Sequence, residues 1–215
     1  MVNILSKQNS VFNQFIAEIR DSEIQKDSMR FRRNLERMGE IFAYEISKQL
    51  EYKSIEVITP LGISNETVPS NQPVIATILR AGLPLHQGFL NVFDKADNAF
   101  ISAYRKHHKD GSFDIQIEYL SSPDLEDRVL ILNDPMLATG SSMVLAYKGI
   151  LKKGKPKHVH IVSVIASVEG ISFVEKNFPE NCTIWTGAVD EELTAQSYIV
   201  PGLGDAGDLA FGIKT

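Results

Sequence analysis

An unbroken apolar run, Val129-Leu130-Ile131-Leu132, ends in Asn133-Asp134, and five residues beyond the acid the chain reads Thr139-Gly140-Ser141-Ser142. A run apolar on both strand faces belongs in the interior of a sheet. The small, hydroxyl-bearing residues after it are those that open a helix. Strand, short loop and helix in that order make one unit of an α/β chain. Amides at a helix N-terminus carry partial positive charge, and small residues let them close around a phosphate. Asp134 at the strand end is placed to accept hydrogen bonds from the hydroxyls of a ribose whose 5-phosphate the cradle holds. A plain strand end followed by a helix cap fits the same residues, and the segment alone leaves both readings open.

The flanking sequence repeats the alternation. Phe31, Leu35, Met38, Phe42 and Ile46 recur every three or four positions, which predicts a packing helix over Ser28 to Leu50. Ile55 to Thr59 and Pro73 to Leu79 are strand-type runs, the second ending in Arg80-Ala81-Gly82 before a helix over Leu83 to Phe93. Ala99 to Tyr104 and Phe113 to Leu120 read as a hairpin arm, since Phe113, Ile115, Ile117 and Tyr119 alternate with polar residues. A helix over Ser141 to Lys153, closed by Gly154, precedes strands at Val159 to Ala166 and Thr183 to Val189, with a helix near Glu169 to Asn177 between them. Such an order implies an α/β fold with a central, mostly parallel sheet flanked by helices. Ligands gather at the carboxyl ends of the strands in these sheets, where Arg80, Asp134 and the glycine-rich tail fall.

Composition narrows the function. Lys plus Arg number 22 against 27 Asp plus Glu, a formal charge of -5, which argues against nucleic acid or anionic lipid as a partner. The single Cys182 excludes an internal disulfide and reads as a packing residue rather than a nucleophile. The first twenty residues alternate apolar with polar, and no run approaches the roughly 20 apolar residues of a bilayer span, so a soluble, cytoplasmic protein is expected. His107 and His108 have no carboxylate or cysteine at ligand spacing. Gly202-Leu203-Gly204-Asp205-Ala206-Gly207 satisfies a dinucleotide-binding pattern, yet only eight residues follow it, too few for the rest of that unit. Gly149 to Lys155 begins like a nucleoside triphosphate loop, but Pro156 stands where the hydroxyl belongs.

Asp134-Pro135-Met136-Leu137-Ala138-Thr139-Gly140 resembles the loop that binds phosphoribosyl pyrophosphate (PRPP) in type I phosphoribosyltransferases, in the form found in the uracil phosphoribosyltransferase family. The resemblance continues in Ile78-Leu79-Arg80-Ala81-Gly82-Leu83, in Tyr104-Arg105, in Tyr198 to Asp208 and in Phe211-Gly212, while Phe31-Arg32-Arg33 and Tyr44-Glu45 are similar to the family's N-terminal arm. Departures are Ser141 and Thr77 where the family has glycine and proline, Thr194 and Ser197 where it has asparagine and glycine, and an arm of Lys106 to Gly111.

The resemblance implies one domain over residues 1–215 with the type I phosphoribosyltransferase fold. It would comprise an N-terminal helical arm at about 1–52, a β-arm at about 99–120 and a C-terminal hood at about 190–212. It implies conversion of uracil and PRPP to UMP and diphosphate in pyrimidine salvage, with Mg2+ carried by PRPP rather than by a protein metal site. Arg80, Arg105, Asp134, Pro135, Met136, Leu137, Ala138, Thr139, Gly140, Ser141, Ser142 and Asp205 would bind PRPP. Ile199, Gly204, Asp205 and Ala206 would bind uracil, largely through the main chain. Arg80, Arg105 and Asp134 would act electrostatically, with no covalent nucleophile, and the arm around Arg105 would serve as a lid. Asp208 inherits no ligand role, which leaves it to turn or cap structure. A homo-oligomer, dimer or tetramer, is expected. The alternatives are a phosphoribosyltransferase for another base and a non-catalytic pyrimidine-nucleotide sensor.

Overall fold

The computed structural model describes residues 1–107 and 113–214, and for residues 103–107 and 113–116 the strand backbone alone. In chain order the elements are β1 (Val2–Ile4), α1 (Val11–Arg20), α2 (Ser28–Ser47), β2 (Tyr52–Thr59), β3 (Gly62–Pro69), β4 (Val74–Leu79), α3 (Leu83–Val92), β5 (Asp97–His107) and β6 (Phe113–Ser121). There follow β7 (Val129–Asn133), β8 (Met136–Leu137), α4 (Ser141–Ile150), β9 (His158–Ser167), α5 (Val168–Asn177), β10 (Cys182–Asp190), β11 (Glu192–Leu193), β12 (Ile199–Val200) and α6 (Ala206–Phe211). The main sheet runs β1-β10-β9-β7-β4-β5-β6, with β8 beside β9. Every pair in it is parallel except β5 with β6.

Strand alternation divides the core in two. On β7, Ile131 faces the layer of α1, α2 and α3, and Leu130 and Leu132 face α4 and α5. On β4, Ile75 joins the first layer and Val74, Ala76 and Ile78 the second. The stripe Phe31, Leu35, Met38, Phe42 and Ile46 is wholly buried on α2, and Asp27 caps that helix by accepting from the Met29 and Arg30 amides at 3.0 Å each. Each of these side chains contributes about 1.5–3 kcal/mol by leaving water.

Three readings of the sequence change. Residues 1–20 hold a strand and a helix rather than plain alternation: α1 buries Phe12, Ile16 and Ile19, at helical spacing, behind the Ser10 cap. The run Ile55 to Thr59 is a strand, but it pairs only with β3 in a separate exposed hairpin and takes no part in the main sheet. The helix expected over Ser141 to Lys153 ends as an α-helix at Ile150 and tightens to a 3-10 turn over Leu151–Lys153 before Gly154. No helix among the described residues is long and apolar enough to cross a membrane.

Candidate active site

The carboxyl ends of β4 and β7 open onto a cleft of about 900 Å³, roofed by the segment that follows β10. Arg80, Asp134, Met136, Leu137, Ala138, Thr139, Gly140 and Ser142 line one side; Ile199, Gly204, Asp205 and Ala206 line the other. Residues separated by up to 126 positions, Arg80 and Ala206, are therefore neighbours on one cavity. Tyr198, Gln196, Ser197 and Lys214 also line it and were not singled out as ligand residues from the sequence.

The cradle owes its shape to one residue. Gly140 has φ +78 at the N-cap of α4, a conformation that L side chains rarely adopt, and an added Cβ would meet the Gly170 carbonyl at 3.0 Å and Phe173 at 3.2 Å. A glycine has no side chain with which to cap the helix, and of the first-turn amides only that of Ser141 meets a neighbouring side chain among the described residues, donating to Thr139 Oγ1 at 3.4 Å. Thr139 Oγ1 donates to Ser141 Oγ at 3.1 Å. From beneath, Ser167 Oγ donates to the Ala138 carbonyl at 2.6 Å and accepts from the Gly170 amide at 2.8 Å, which fastens the loop to the start of α5. Ser167 was not read from sequence, because its partner lies 29 positions away.

Asp134 ends β7 with its Oδ1 accepting from the Met136 amide at 3.3 Å. Burial pushes its carboxyl up from 3.8 to about 7, opposed by that amide and reinforced by the negative charge of Asp205. Next to it, Asn133 Nδ2 donates to the Ala76 carbonyl at 2.8 Å, and Thr77 Oγ1 donates to Asn133 Oδ1 at 3.0 Å. Thr77 thus ties β4 to β7 immediately beneath the acid. Pro135 faces away from the cleft; its carbonyl accepts from the Val164 and Ile165 amides at 3.0 Å each. Ser141 sits behind Thr139 and is not on the cavity wall.

Arg80 Nη2 donates to Asp208 Oδ1 at 2.8 Å and to the Gly212 carbonyl at 2.6 Å, while its Nε is buried without a partner among the described residues. The side chain of Asp208, expected to shape a turn or cap, instead pairs with Arg80. The cap of α6 is Asp205, whose Oδ1 accepts from the Asp208 amide at 2.9 Å. That amide and Lys214 hold the Asp205 carboxyl below its ordinary value against the opposing effect of burial. The side chain of Arg105 lies outside the described residues, as do those of His107 and His108. Burial pushes the Cys182 thiol up to about 12, which leaves it inert at neutral pH.

The sheet order, the acid at the end of β7 and the uncapped helix start beside it define the type I phosphoribosyltransferase fold. A solved adenine phosphoribosyltransferase from Trypanosoma brucei shares that fold with a TM-score of 0.57 at 12% identity, over 94% of this chain and 87% of its own. A solved protein from Aquifex aeolicus superposes with a TM-score of 0.88 at 30% identity over the whole of both chains. Within the class, the family model for uracil phosphoribosyltransferase matches residues 6–213. A relative from Porphyromonas gingivalis named uracil phosphoribosyltransferase is 57% identical over 98% of this chain and 97% of its own. The chain belongs to the uracil phosphoribosyltransferase family.

Proposed function

We propose that the chain transfers the phosphoribosyl group of PRPP to N1 of uracil, giving UMP and diphosphate in pyrimidine salvage. The observation that carries this reading is the meeting, in one cleft, of a helix start whose N-cap glycine offers no side-chain cap, an acid at a strand end and the guanidinium of Arg80. The amides from Ala138 to Ser142 hold the 5-phosphate, with Pro135 and Ser141 shaping the loop from behind. Asp134 accepts from the ribose hydroxyls, and Asp205 faces the ribosyl side. Arg80, whose side chain lines the cleft, meets the diphosphate with its guanidinium, and Arg105 approaches it from the arm. Ile199, Gly204 and Ala206 read the base through the main chain.

The C1–O bond to diphosphate breaks ahead of C1–N1 formation, its electron pair leaves with the diphosphate, and the proton that uracil carries on N1 is released as the new bond forms. The positive charge that develops on the sugar lies between the carboxylates of Asp134 and Asp205, and the negative charge on the leaving group lies against a guanidinium that cannot lose its proton. Mg2+ enters as part of the substrate, as the magnesium salt of PRPP, and neutralises the diphosphate. The arm excludes water from the cleft, and the 1–215 chain works as one domain with the hood over residues 190–212. A homo-oligomer fits the exposed hairpin β2–β3, which leaves Ile58 89% and Leu61 99% exposed; light scattering tests it.

Purified protein given radiolabelled uracil, PRPP and Mg2+ is expected to form UMP with release of diphosphate, and to stop in chelator. Full turnover in chelator, or no UMP under any condition, would overturn the proposal.

A further inference from the structure

The glycine-rich base loop is gripped from its far side. Arg20, at the end of α1, donates Nη2 to Asp190 Oδ1 and Nη1 to Asp190 Oδ2, each at 2.8 Å. The same Nη1 donates to the Gly202 carbonyl at 2.9 Å, and the Gly202 amide donates to Asp190 Oδ2 at 3.0 Å. One ion pair, its carboxylate only 7% exposed, therefore holds the peptide groups on both sides of Gly202. The third peptide group is held by Gln25. With its amide nitrogen turned toward two carbonyls, Gln25 donates to Leu203 at 2.8 Å and to Ile19 at 3.2 Å.

Three consecutive peptide groups are thus fixed by side chains that are not on the cleft wall, while Gly204, the next residue, is on it. The Leu203–Gly204 peptide is trans, and in a planar trans peptide the carbonyl and the following N–H point in opposite directions. A Leu203 carbonyl held toward Gln25 directs the Gly204 N–H away from Gln25, to the side on which Gly204 meets the cavity. The loop needs such a clamp. Gly202 and Gly204 have φ of +56 and +92, and an added Cβ at Gly202 would collide with the Ile199 carbonyl, so the turn requires residues that do not fix their own backbone.

We infer that Arg20, Asp190 and Gln25 are positioning residues that set the direction of the Gly204 amide and, through it, the preference for a base presenting a carbonyl acceptor at that point. The inference rests on the proposed reading of this loop as the uracil site. It reaches beyond that reading by making a segment on α1 and the turn after it a determinant of base choice. The pair does more than close the fold: its donors and acceptors are spent on the loop's main chain rather than on each other alone.

Steady-state kinetics with uracil, cytosine and PRPP each varied test it. Gln25→Ala removes one donor from a half-buried side chain and leaves the ion pair intact. It is expected to raise the KM for uracil about 3- to 10-fold and to lower the uracil-over-cytosine ratio of kcat/KM by a similar factor, with the KM for PRPP within about twofold of wild type. Arg20→Lys keeps the charge but loses the fork that serves Asp190 and Gly202 together, and is expected to have the larger effect on the same two readouts. Should Arg20→Lys fail to fold, Gln25→Ala decides. Wild-type kinetics in Gln25→Ala, or equal rises in both KM values, would overturn the inference, because a merely structural contact has no reason to separate the substrates. Wild-type protein without any uracil- and PRPP-dependent turnover would overturn the underlying function, and the inference with it, before any variant is read.

Discussion

Burial and the neighbouring Asp205 push the Asp134 carboxyl up from 3.8 to about 7, so in the free protein this side chain is largely protonated below neutrality. Between pH of about 4 and 7 the folded chain holds a proton that the unfolded chain has released, and stability falls as pH rises through that window. Because the residue keeps an edge on the open cleft, screening limits the loss to about 1–2 kcal/mol. Asp134→Asn removes the cost. It is expected to raise the Tm of the free protein at pH 8 while leaving it near wild type at pH 4. The same substitution is expected to lower kcat/KM at least ~10-fold, since a charge-assisted bond to ribose is worth about 1.5–3 kcal/mol. Thermal melts at the two pH values beside initial rates check both arms; a variant that neither gains stability nor loses rate would show an acid that only ends a strand. Asp134 was legible because strand, acid and helix start are contiguous. Asp208 was not, because the guanidinium it pairs with lies 128 residues earlier.

Between elements, the same contrast follows from how far each signal extends along the chain. The interior strands β4, β7 and β9 were legible from their apolar runs, which can only be buried on both faces. The strand β3 was not, since Gly62-Ile63-Ser64-Asn65-Glu66-Thr67 holds one large apolar residue and finds its partner in β2 alone. The helix α1 carried a readable i, i+4, i+7 signal in Phe12, Ile16 and Ile19, obscured by the shorter alternation around it. The contact of α2 with α3 depends on a pair of small residues no periodicity would single out. An added Cβ at Gly39 would strike the Leu85 carbonyl, and one at Gly88 the Glu36 carbonyl. Both obstacles are main chain and cannot rotate aside. Gly39→Ala and Gly88→Ala are each expected to cost about 2 kcal/mol, a Tm lower by about 4–8 °C, despite the better helix propensity of alanine. Calorimetry checks this, and an unchanged Tm in either variant would mean that the helices separate freely.

Across the whole molecule, the cleft is the place where two independently anchored parts face each other. The cradle belongs to the sheet and is fastened to α5 through Ser167. The loop over Gly202 to Gly204 belongs to the hood and is fastened to α1 through Arg20, and α6 after it is fastened to α2 through the bond from Arg32 to the Ala210 carbonyl at 2.6 Å. In the free protein the two parts meet through Arg80, which spends its Nη2 on Asp208 and Gly212. A ligand that spans the cleft adds bonds between sheet and hood that the unfolded chain cannot make, so it must stabilise the entire chain by mass action. Magnesium PRPP at 100 times its dissociation constant is expected to add about 2.7 kcal/mol, which raises Tm by about 5–11 °C for a chain of this size. Asp134→Asn should shrink the shift at a fixed PRPP concentration, because the ribose contact proposed for the carboxylate is lost. Inorganic phosphate, which reaches only the cradle, should give a much smaller one. Scanning calorimetry over a series of PRPP concentrations makes the comparison. A Tm indifferent to PRPP, or a phosphate shift as large as that of PRPP, would show that the substrate does not bridge the two parts.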